Sequence, residues 1–251
     1  YEPILPDMKH NKFPFQILYQ VEDVLAIHKP SGIPTMPSQT FNEYTVLHQL
    51  RAAMNTEPPP QPVHRLGVGT SGLLLIATSI KSRKILSQAI RERRVKKYYR
   101  ALVSNGKQIP NQMRIECPIG PIPFPIAGGT LYAACPGTHI GDGGSASKKS
   151  KPSLSLVRVI RRDIKKDQAV VEVEIPTGRP HQIRIHMAYA GYPLVGDPLY
   201  LNGGLPCMEK KYFSKRDPRE EDMDSDDDVS GEGEDGMLLR VSLPRDCGYC
   251  L

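Results

Sequence analysis

The sequence predicts a domain that mixes β-strands with α-helices, because apolar patterns of both periods occur along one chain. Strand-like runs lie at residues 24–27, 73–77, 98–103 and 169–175, and helical spacing of apolar residues extends over residues 79–94. With 251 residues, the chain is long enough to bury an apolar core without help from disulfides.

The first two predicted strands are each bounded by residues that break regular structure. Residues 24–27 form a short apolar run, which Pro30 and Gly32 close in a turn. Three consecutive prolines at 58–60 make a stiff break, and a glycine-containing loop then leads into the wholly apolar run at 73–77. A run without polar alternation predicts a strand buried on both faces.

An amphipathic, basic helix is predicted over residues 79–94. Ser79 is a suitable N-cap, since its side-chain oxygen can accept from a backbone amide of the first turn. The apolar residues recur near helical spacing, at Ile80, Ile85, Leu86, Ala89 and Ile90. Bases fill much of the remaining surface.

The second half of the chain continues the same mixture. Residues 104–150 are rich in Pro and Gly, which predicts loops and short strands. The strand at 169–175 alternates apolar residues with Glu172 and Glu174, so one of its faces meets water. A helix is predicted over residues 181–190, with Pro180 in its first turn.

The charge of the chain is divided between two opposed parts. The formal net charge is +6, but residues 219–235 hold ten acids and one base, which is a net −9 and leaves +15 for the rest. So basic a remainder suggests a polyanionic partner such as a nucleic acid, although an ordinary basic protein has the same composition.

Two stretches of the chain are expected to lie outside the packed core. Residues 1–15 are Pro-rich and lack periodicity, which predicts an N-terminal arm before a domain spanning 16–251. An acidic insertion at about 203–237 has too few apolar residues to offset its ordering entropy, so we expect it to be disordered. A solvated loop and an acidic recruitment segment are the two alternatives for it.

Cysteine and histidine spacing gives little support to a metal site. Five cysteines are few and unevenly spread, which favours a reducing compartment. Cys247 and Cys250 form a CxxC pair with no second pair of ligands after it. His181 and His186 do not share the i, i+4 face of a helical zinc pair. No apolar run is long enough to span a bilayer, and the chain begins at Tyr1, so the compartment is left open.

Two segments concentrate residues suited to nucleotide binding. Residues 64–72 place Arg65, Thr70 and Ser71 on a glycine-rich loop that a nucleotide can approach closely. Residues 178–186 open a helix, where backbone amides favour anions, and they include two Arg, two His and one Gln. Such a density of donors is rarely needed for packing alone.

Taken in order, these motifs resemble the RluA-like family of RNA pseudouridine synthases. The family patterns HRLDxxTSG, VxKxYxAxV and GRxHQIRxHxAxxGxPxxGDxxY match residues 64–72, 95–103 and 178–200. An earlier family element fits residues 27–34, and the resemblance covers about residues 16–202. A later family segment, usually LHA, corresponds to Leu238-Leu239-Arg240.

The resemblance implies an α+β fold with a bent, mostly antiparallel sheet, flanking helices and an RNA-binding cleft. It implies isomerisation of uridine to pseudouridine in RNA, such as rRNA or tRNA, without cofactor or metal, by a protein expected to be a monomer away from membranes. The uridine is flipped out of its stack into the cleft. In the family, an Asp following His-Arg-Leu attacks or deprotonates the ribose.

Residue roles follow from the same resemblance. Tyr99 is expected to pack against the base, Arg184 to pair with the catalytic Asp, and Arg65 to help displace the uridine. The remaining RNA-binding candidates are Lys29, Lys97, Arg179, His181 and Gln182.

The sequence departs from the family at the centre of the site. Gly67 occupies the position of the catalytic Asp, and Gly69 stands where a second acid is common. Without a carboxylate we expect a rate loss of several powers of ten, unless Glu174 or Asp197 substitutes. Arg184 is then expected to lack its partner. A catalytically impaired RNA-binding protein is therefore the alternative to an active synthase, and an RNA chaperone is a third.

Overall fold

The structure, a computed structural model, describes residues 14–37, 44–123, 130–136 and 150–207. In chain order its elements are β1 Gln16–Val21, β2 Val24–Lys29, α1 Val46–Met54, β3 Gln61–Pro62, β4 Gly72–Ala77, α2 Ile80–Arg91, β5 Tyr98–Ser104, β6 Gln112–Glu116, β7 Ile119–Pro123, β8 Thr130–Ala134, β9 Leu154–Asp163, β10 Gln168–Glu174, α3 Gln182–Tyr189, β11 Tyr200–Asn202 and β12 Leu205–Pro206. None of these three helices has the length and apolar character that a bilayer crossing demands.

Two four-stranded sheets form the framework. The strand order is β1-β2-β4-β3 in the first sheet and β5-β10-β9-β6 in the second, and every pairing of named strands is antiparallel. β7 with β8 and β11 with β12 form two small hairpins. The predicted α+β class is confirmed, with the antiparallel strands divided between two sheets.

Each large sheet covers its own apolar core, and Tyr99 connects the two. The first core draws buried side chains from β2, β4 and α1, and the second draws them from β5, β9, β10 and α3. Tyr99 is partly buried and packs against both cores. A residue held from both sides in this way has a well-defined position at the junction of the sheets.

Helix α2 begins where the sequence predicts. Ser79 is the N-cap, and its hydroxyl accepts from Ser82 N at 3.0 Å while Ser82 Oγ accepts from Ser79 N at 3.3 Å. These reciprocal bonds satisfy two amides that the helix cannot pair internally. The predicted apolar face is only partly buried, because Ile80 and Ile85 are each 53% exposed. The helix therefore lies at the surface.

Helix α3 begins one residue later than predicted, which corrects the role of Pro180. His181 is the N-cap and has the left-handed φ of 54°, so Pro180 precedes the helix instead of occupying its first turn. The predicted stop is confirmed, since α3 ends at Tyr189 and Gly191 has a φ of 87°.

Several elements were missed or misplaced by the sequence analysis. Neither α1 nor β1 was predicted, and β9 is a ten-residue strand that follows directly on the predicted loop region. The predicted insertion at 203–237 begins too early, because residues 203–206 form the turn and second strand of the β11–β12 hairpin. Its remainder, Cys247, Cys250 and the 238–240 segment lie outside the described residues.

Candidate active site

Hydrogen bonds from the segment after β2 hold the loop that carries Gly67 in place. Thr35 is buried, and its hydroxyl donates to Leu66 O at 2.9 Å and accepts from Leu66 N at 3.1 Å. A turn follows at once, with Thr70 N donating to Gly67 O at 3.1 Å. Buried, paired hydrogen bonds of this kind fix a loop that has no regular structure of its own.

Lys29 supports the same loop, which corrects its predicted role in RNA binding. It is completely buried, and its ammonium group donates to Pro30 O at 2.7 Å and to Val68 O at 3.4 Å. Gly32 N also donates to Val68 O, at 2.8 Å. An ammonium group that is inaccessible to solvent cannot meet a phosphate, so Lys29 positions the loop.

The position of Gly67 has room for a side chain. Gly67 is exposed, its φ lies outside the left-handed region, and a Cβ there would meet only Thr70 Oγ1, at 3.4 Å. Ordinary van der Waals contact at this distance requires no rearrangement. The backbone conformation at position 67 therefore does not require a glycine.

Gln182 has a structural role, contrary to its predicted place among the RNA-binding residues. Its side chain is buried, and Oε1 accepts from Thr177 Oγ1 at 2.9 Å and from Arg179 N at 3.0 Å. Its Nε2 donates to Leu154 O at 2.8 Å and to Ser155 Oγ at 3.1 Å. With both ends of the amide occupied, Gln182 ties the start of α3 to β9.

Arg184 is paired with Asp197, which corrects the expectation that it lacks a partner. Its Nε donates to Asp197 Oδ2 at 2.6 Å and its second guanidinium nitrogen to Asp197 Oδ1 at 2.7 Å. The guanidinium also lies 4.9 Å from the centre of the Tyr200 ring. A bidentate pair of this geometry fixes the orientation of the guanidinium.

Asp197 is fully engaged and is a poor substitute for the missing catalytic carboxylate. Its Oδ1 also accepts from Leu199 N at 2.9 Å and from Tyr200 N at 3.1 Å. Burial acts to raise the pKa of Asp197, but the hydrogen bonds and charge of Arg184 outweigh it, so the pKa is lowered. A carboxylate with a 3% exposed side chain and four donors has little freedom to reach a ribose.

Glu174 lies on the opposite side of the second sheet from Tyr99. In the pairing of β10 with β5, Val173 is the partner of Tyr99 and Glu174 is the partner of Tyr98. Successive residues of a strand point to opposite faces. Since Val173 and Tyr99 share the core face, Glu174 points away from it, and the hypothesis that Glu174 replaces the catalytic Asp is wrong.

Three segments converge around Tyr99. A Cβ on Gly178 would lie 3.1 Å from the Lys97 Nζ, which places the end of Lys97 beside the turn before α3. Burial lowers the pKa of His64 to about 4, and the charge of Lys97 contributes to this lowering. The loop at 64–70, the start of β5 and the start of α3 therefore face one another.

Apart from Asp197, which is paired with Arg184, the ionisable groups considered at this junction are neutral or cationic. Burial raises the pKa of Tyr99, so its phenol stays protonated at neutral pH. Burial also lowers the pKa of Lys97, and the nearby charge of Arg93 adds to the effect. Arg65 is exposed, and Arg179 donates to Pro152 O at 3.2 and 3.1 Å. The arrangement suits a polyanion.

Tyr200 is a residue of this site that the sequence analysis missed. It is completely buried, its hydroxyl donates to Tyr132 O at 2.8 Å, and His181 Nδ1 lies 3.0 Å from the same hydroxyl. Burial raises the pKa of Tyr200 to about 12. Tyr200 ends the matched GDxxY motif, and that position is the signal that could have identified it.

Comparison with known proteins agrees with this geometry. The family model described as RNA pseudouridylate synthase matches residues 23–189. The chain is 37% identical to RNA pseudouridine synthase 5 of Arabidopsis thaliana, covering 95% of this chain and 66% of the relative. It is 35% identical to RNA pseudouridine synthase 5 of Oryza sativa subsp. japonica, covering 100% of this chain and 63% of the relative.

A solved structure supports the same assignment. Human RNA Pseudouridylate Synthase Domain Containing 1 aligns with a TM-score of 0.59 and 26% identity, over 74% of this chain and 69% of that one. This chain spans somewhat less than two thirds of the length of each of the two plant relatives. On the family match and these relatives, the chain belongs to the RNA pseudouridylate synthase family, as the RluA-like motifs predicted.

Proposed function

We propose that the protein isomerises uridine to pseudouridine in RNA. The observation that carries the proposal is the convergence, in a member of this family, of the Gly67 loop, the start of β5 with Tyr99, and the start of α3. Members of the family act on RNA, and the cationic side chains around the cleft suit that polyanion.

The reaction requires the uracil to be released and turned while it stays bound. The bond from uracil N1 to ribose C1′ breaks, the base turns, and C5 bonds to C1′ while C5 loses its proton and N1 gains one. Tyr99 offers a neutral ring, held by both cores, against which the base can stack. We infer that Arg65, which is exposed, and Lys97, which is partly exposed, meet phosphates of the RNA.

We expect cleavage of the bond between uracil N1 and ribose C1′ to be slow, because Gly67 supplies no carboxylate for this step. Neither acid considered as a replacement serves, because Glu174 faces away from Tyr99 and Asp197 is saturated by Arg184 and two backbone amides. The same observation favours the second candidate, an RNA-binding protein with little catalysis. We propose that in either case the protein acts as a monomer, away from membranes.

The experiment that separates these candidates is release of tritium from RNA labelled at uracil C5, with mass spectrometry to identify the pseudouridine. We expect release by the wild-type protein that rises with time and protein concentration, and none above background when the protein is left out. Binding of the same RNA without any pseudouridine would contradict the proposal and support the second candidate.

A further inference from the structure

His181 occupies an unusual position at the entrance to α3. It is the N-cap, it has a left-handed φ of 54°, and the residue as a whole is exposed. Its ring stands edge-on to that of Tyr200, with centroids 5.7 Å apart. Because its Nδ1 meets the buried Tyr200 hydroxyl, one edge of the ring is fixed, although His181 itself is exposed to solvent.

The hydrogen bonds around Tyr200 determine which nitrogen of His181 carries the proton. The single hydroxyl proton of Tyr200 is donated to Tyr132 O, which can only accept. The 3.0 Å contact between Tyr200 Oη and His181 Nδ1 therefore requires Nδ1 to donate. Since a neutral imidazole has one N–H, Nε2 is left as an acceptor.

His181 is neutral, and its surroundings are rich in donors. Burial of the ring edge lowers the pKa of His181 to about 4, with a further contribution from the charge of Arg184 and a smaller one from Arg65. The carboxylate of Asp197 also acts on His181, but its four hydrogen bonds to Arg184, Leu199 and Tyr200 already engage it. The unprotonated Nε2 of a neutral imidazole accepts hydrogen bonds, so a nucleotide group that meets it here would be a donor.

We propose that His181 Nε2 accepts a hydrogen bond from the ribose 2′-hydroxyl of the target nucleotide, so that the cleft selects RNA over DNA. The 2′-hydroxyl is the group by which a protein distinguishes the two nucleic acids. The ribose is favoured over the uracil N3–H because His181 lies among the guanidiniums of Arg65 and Arg184, which suit the sugar-phosphate backbone, whereas Tyr99 is the group placed for the base. The inference rests on the proposed function only in requiring a nucleotide in this cleft.

The test compares binding of three ten-residue probes by fluorescence anisotropy: oligouridylate, oligodeoxyuridylate, and an oligomer of 2′-fluoro-2′-deoxyuridine. The fluoro sugar keeps a ribose-like pucker but donates no hydrogen bond, so it isolates the hydroxyl. One hydrogen bond corresponds to roughly a fivefold preference. We expect the wild type to prefer oligouridylate over the fluoro probe by about this factor, and over oligodeoxyuridylate by at least as much.

The variants locate the preference at His181. His181→Asn tolerates the left-handed backbone but is too short to replace Nε2, and it should bind oligouridylate and the fluoro probe equally. Tyr200→Phe removes the hydroxyl that fixes the ring edge and the tautomer of His181, and it should reduce the preference. His48→Asn, which changes an exposed histidine on α1, is the matched control and should leave the preference unchanged.

Two results would overturn the proposal. Equal binding of oligouridylate and the fluoro probe by the wild type would show that the hydroxyl is not read. Equal weakening of both by His181→Asn would instead indicate a contact with the base, since both probes retain N3–H. Loss of tritium release with the binding preference intact would refute the proposed isomerisation and leave this inference standing.

Discussion

The pairing of Arg184 with Asp197 predicts that Asp197→Asn is strongly destabilising. The wild-type carboxylate accepts four hydrogen bonds, two from Arg184 and two from the backbone amides of Leu199 and Tyr200. An asparagine keeps one of the two acceptor oxygens and replaces the other with an NH2 group, which cannot accept the hydrogen bonds that the replaced oxygen accepted. The guanidinium then lies over the Tyr200 ring without its counter-charge.

The size of the loss follows from the burial of the pair. Breaking a buried ion pair costs about 3–5 kcal/mol, and the 31% exposure of the Arg184 side chain lets water relieve part of that cost. We therefore expect a fall of roughly 3 kcal/mol in the free energy of unfolding. In a chain of this size that corresponds to a melting temperature lower by about 6–12 °C.

A second arginine–carboxylate pair in the same protein supplies the control. Arg158 and Glu172 meet at 2.8 Å on the outer face of the second sheet, with side chains 60% and 27% exposed. Glu172→Gln should cost less than about 1 kcal/mol, because water screens the pair. Urea unfolding of both variants gives the comparison. Equal losses for the two, or a loss below about 1 kcal/mol for Asp197→Asn, would refute the reasoning.

Three further predictions follow from charge and burial. Stability to urea should fall as pH is lowered from about 6.5 to about 4. His64 and His181 have a pKa of about 4 in the folded protein, so in this range the unfolded chain binds protons that the folded protein does not bind. A midpoint of urea unfolding that is unchanged at pH 5 would contradict this. The logarithm of RNA affinity should decline linearly with the logarithm of salt concentration, and Arg65→Gln, which removes an exposed cation of the site, should lower the slope by about 1. A flat slope would exclude phosphate contacts. Deleting residues 219–235, which carry a net charge of −9, should tighten non-specific RNA binding measured at constant salt, and weaker binding would count against repulsion by this segment.

Features set by short-range chemistry were predictable from the sequence. The N-cap at Ser79 depends on a hydroxyl within one helical turn, and the stop at Gly191 depends on its own backbone freedom. The wholly apolar run at 73–77 forms β4, which lies between its two partner strands in the first sheet. The predicted burial on both faces is wrong, because Leu73 is 53% exposed and Leu75 is only partly buried. Each of these signals lies within a few residues of the structure that it predicts.

Features set by distant partners were not predictable in the same way. Lys29 has a side chain that is typical of protein surfaces, but it is buried, and one of its acceptors is Val68 O, 39 residues away. The alternation of β10 shows that Glu174 and Val173 face opposite ways, but which face meets the cleft depends on how the second sheet packs. The family resemblance implied that Arg184 pairs with a catalytic Asp at position 67, whereas in the structure its partner is Asp197.

The central claim is that this cleft is complete except for a carboxylate at position 67, and substitution there tests it most directly. Gly67→Asp needs no left-handed backbone, and its Cβ has space beside Thr70 Oγ1. The decisive measurement is the initial rate of pseudouridine formation on one RNA by wild type, Gly67→Asp and Gly67→Ala. We predict that only the Asp variant is faster, by about a hundredfold or more, with Gly67→Ala within about twofold of wild type. A wild-type rate that equals or exceeds that of Gly67→Asp would contradict the claim and show that another group supplies the chemistry.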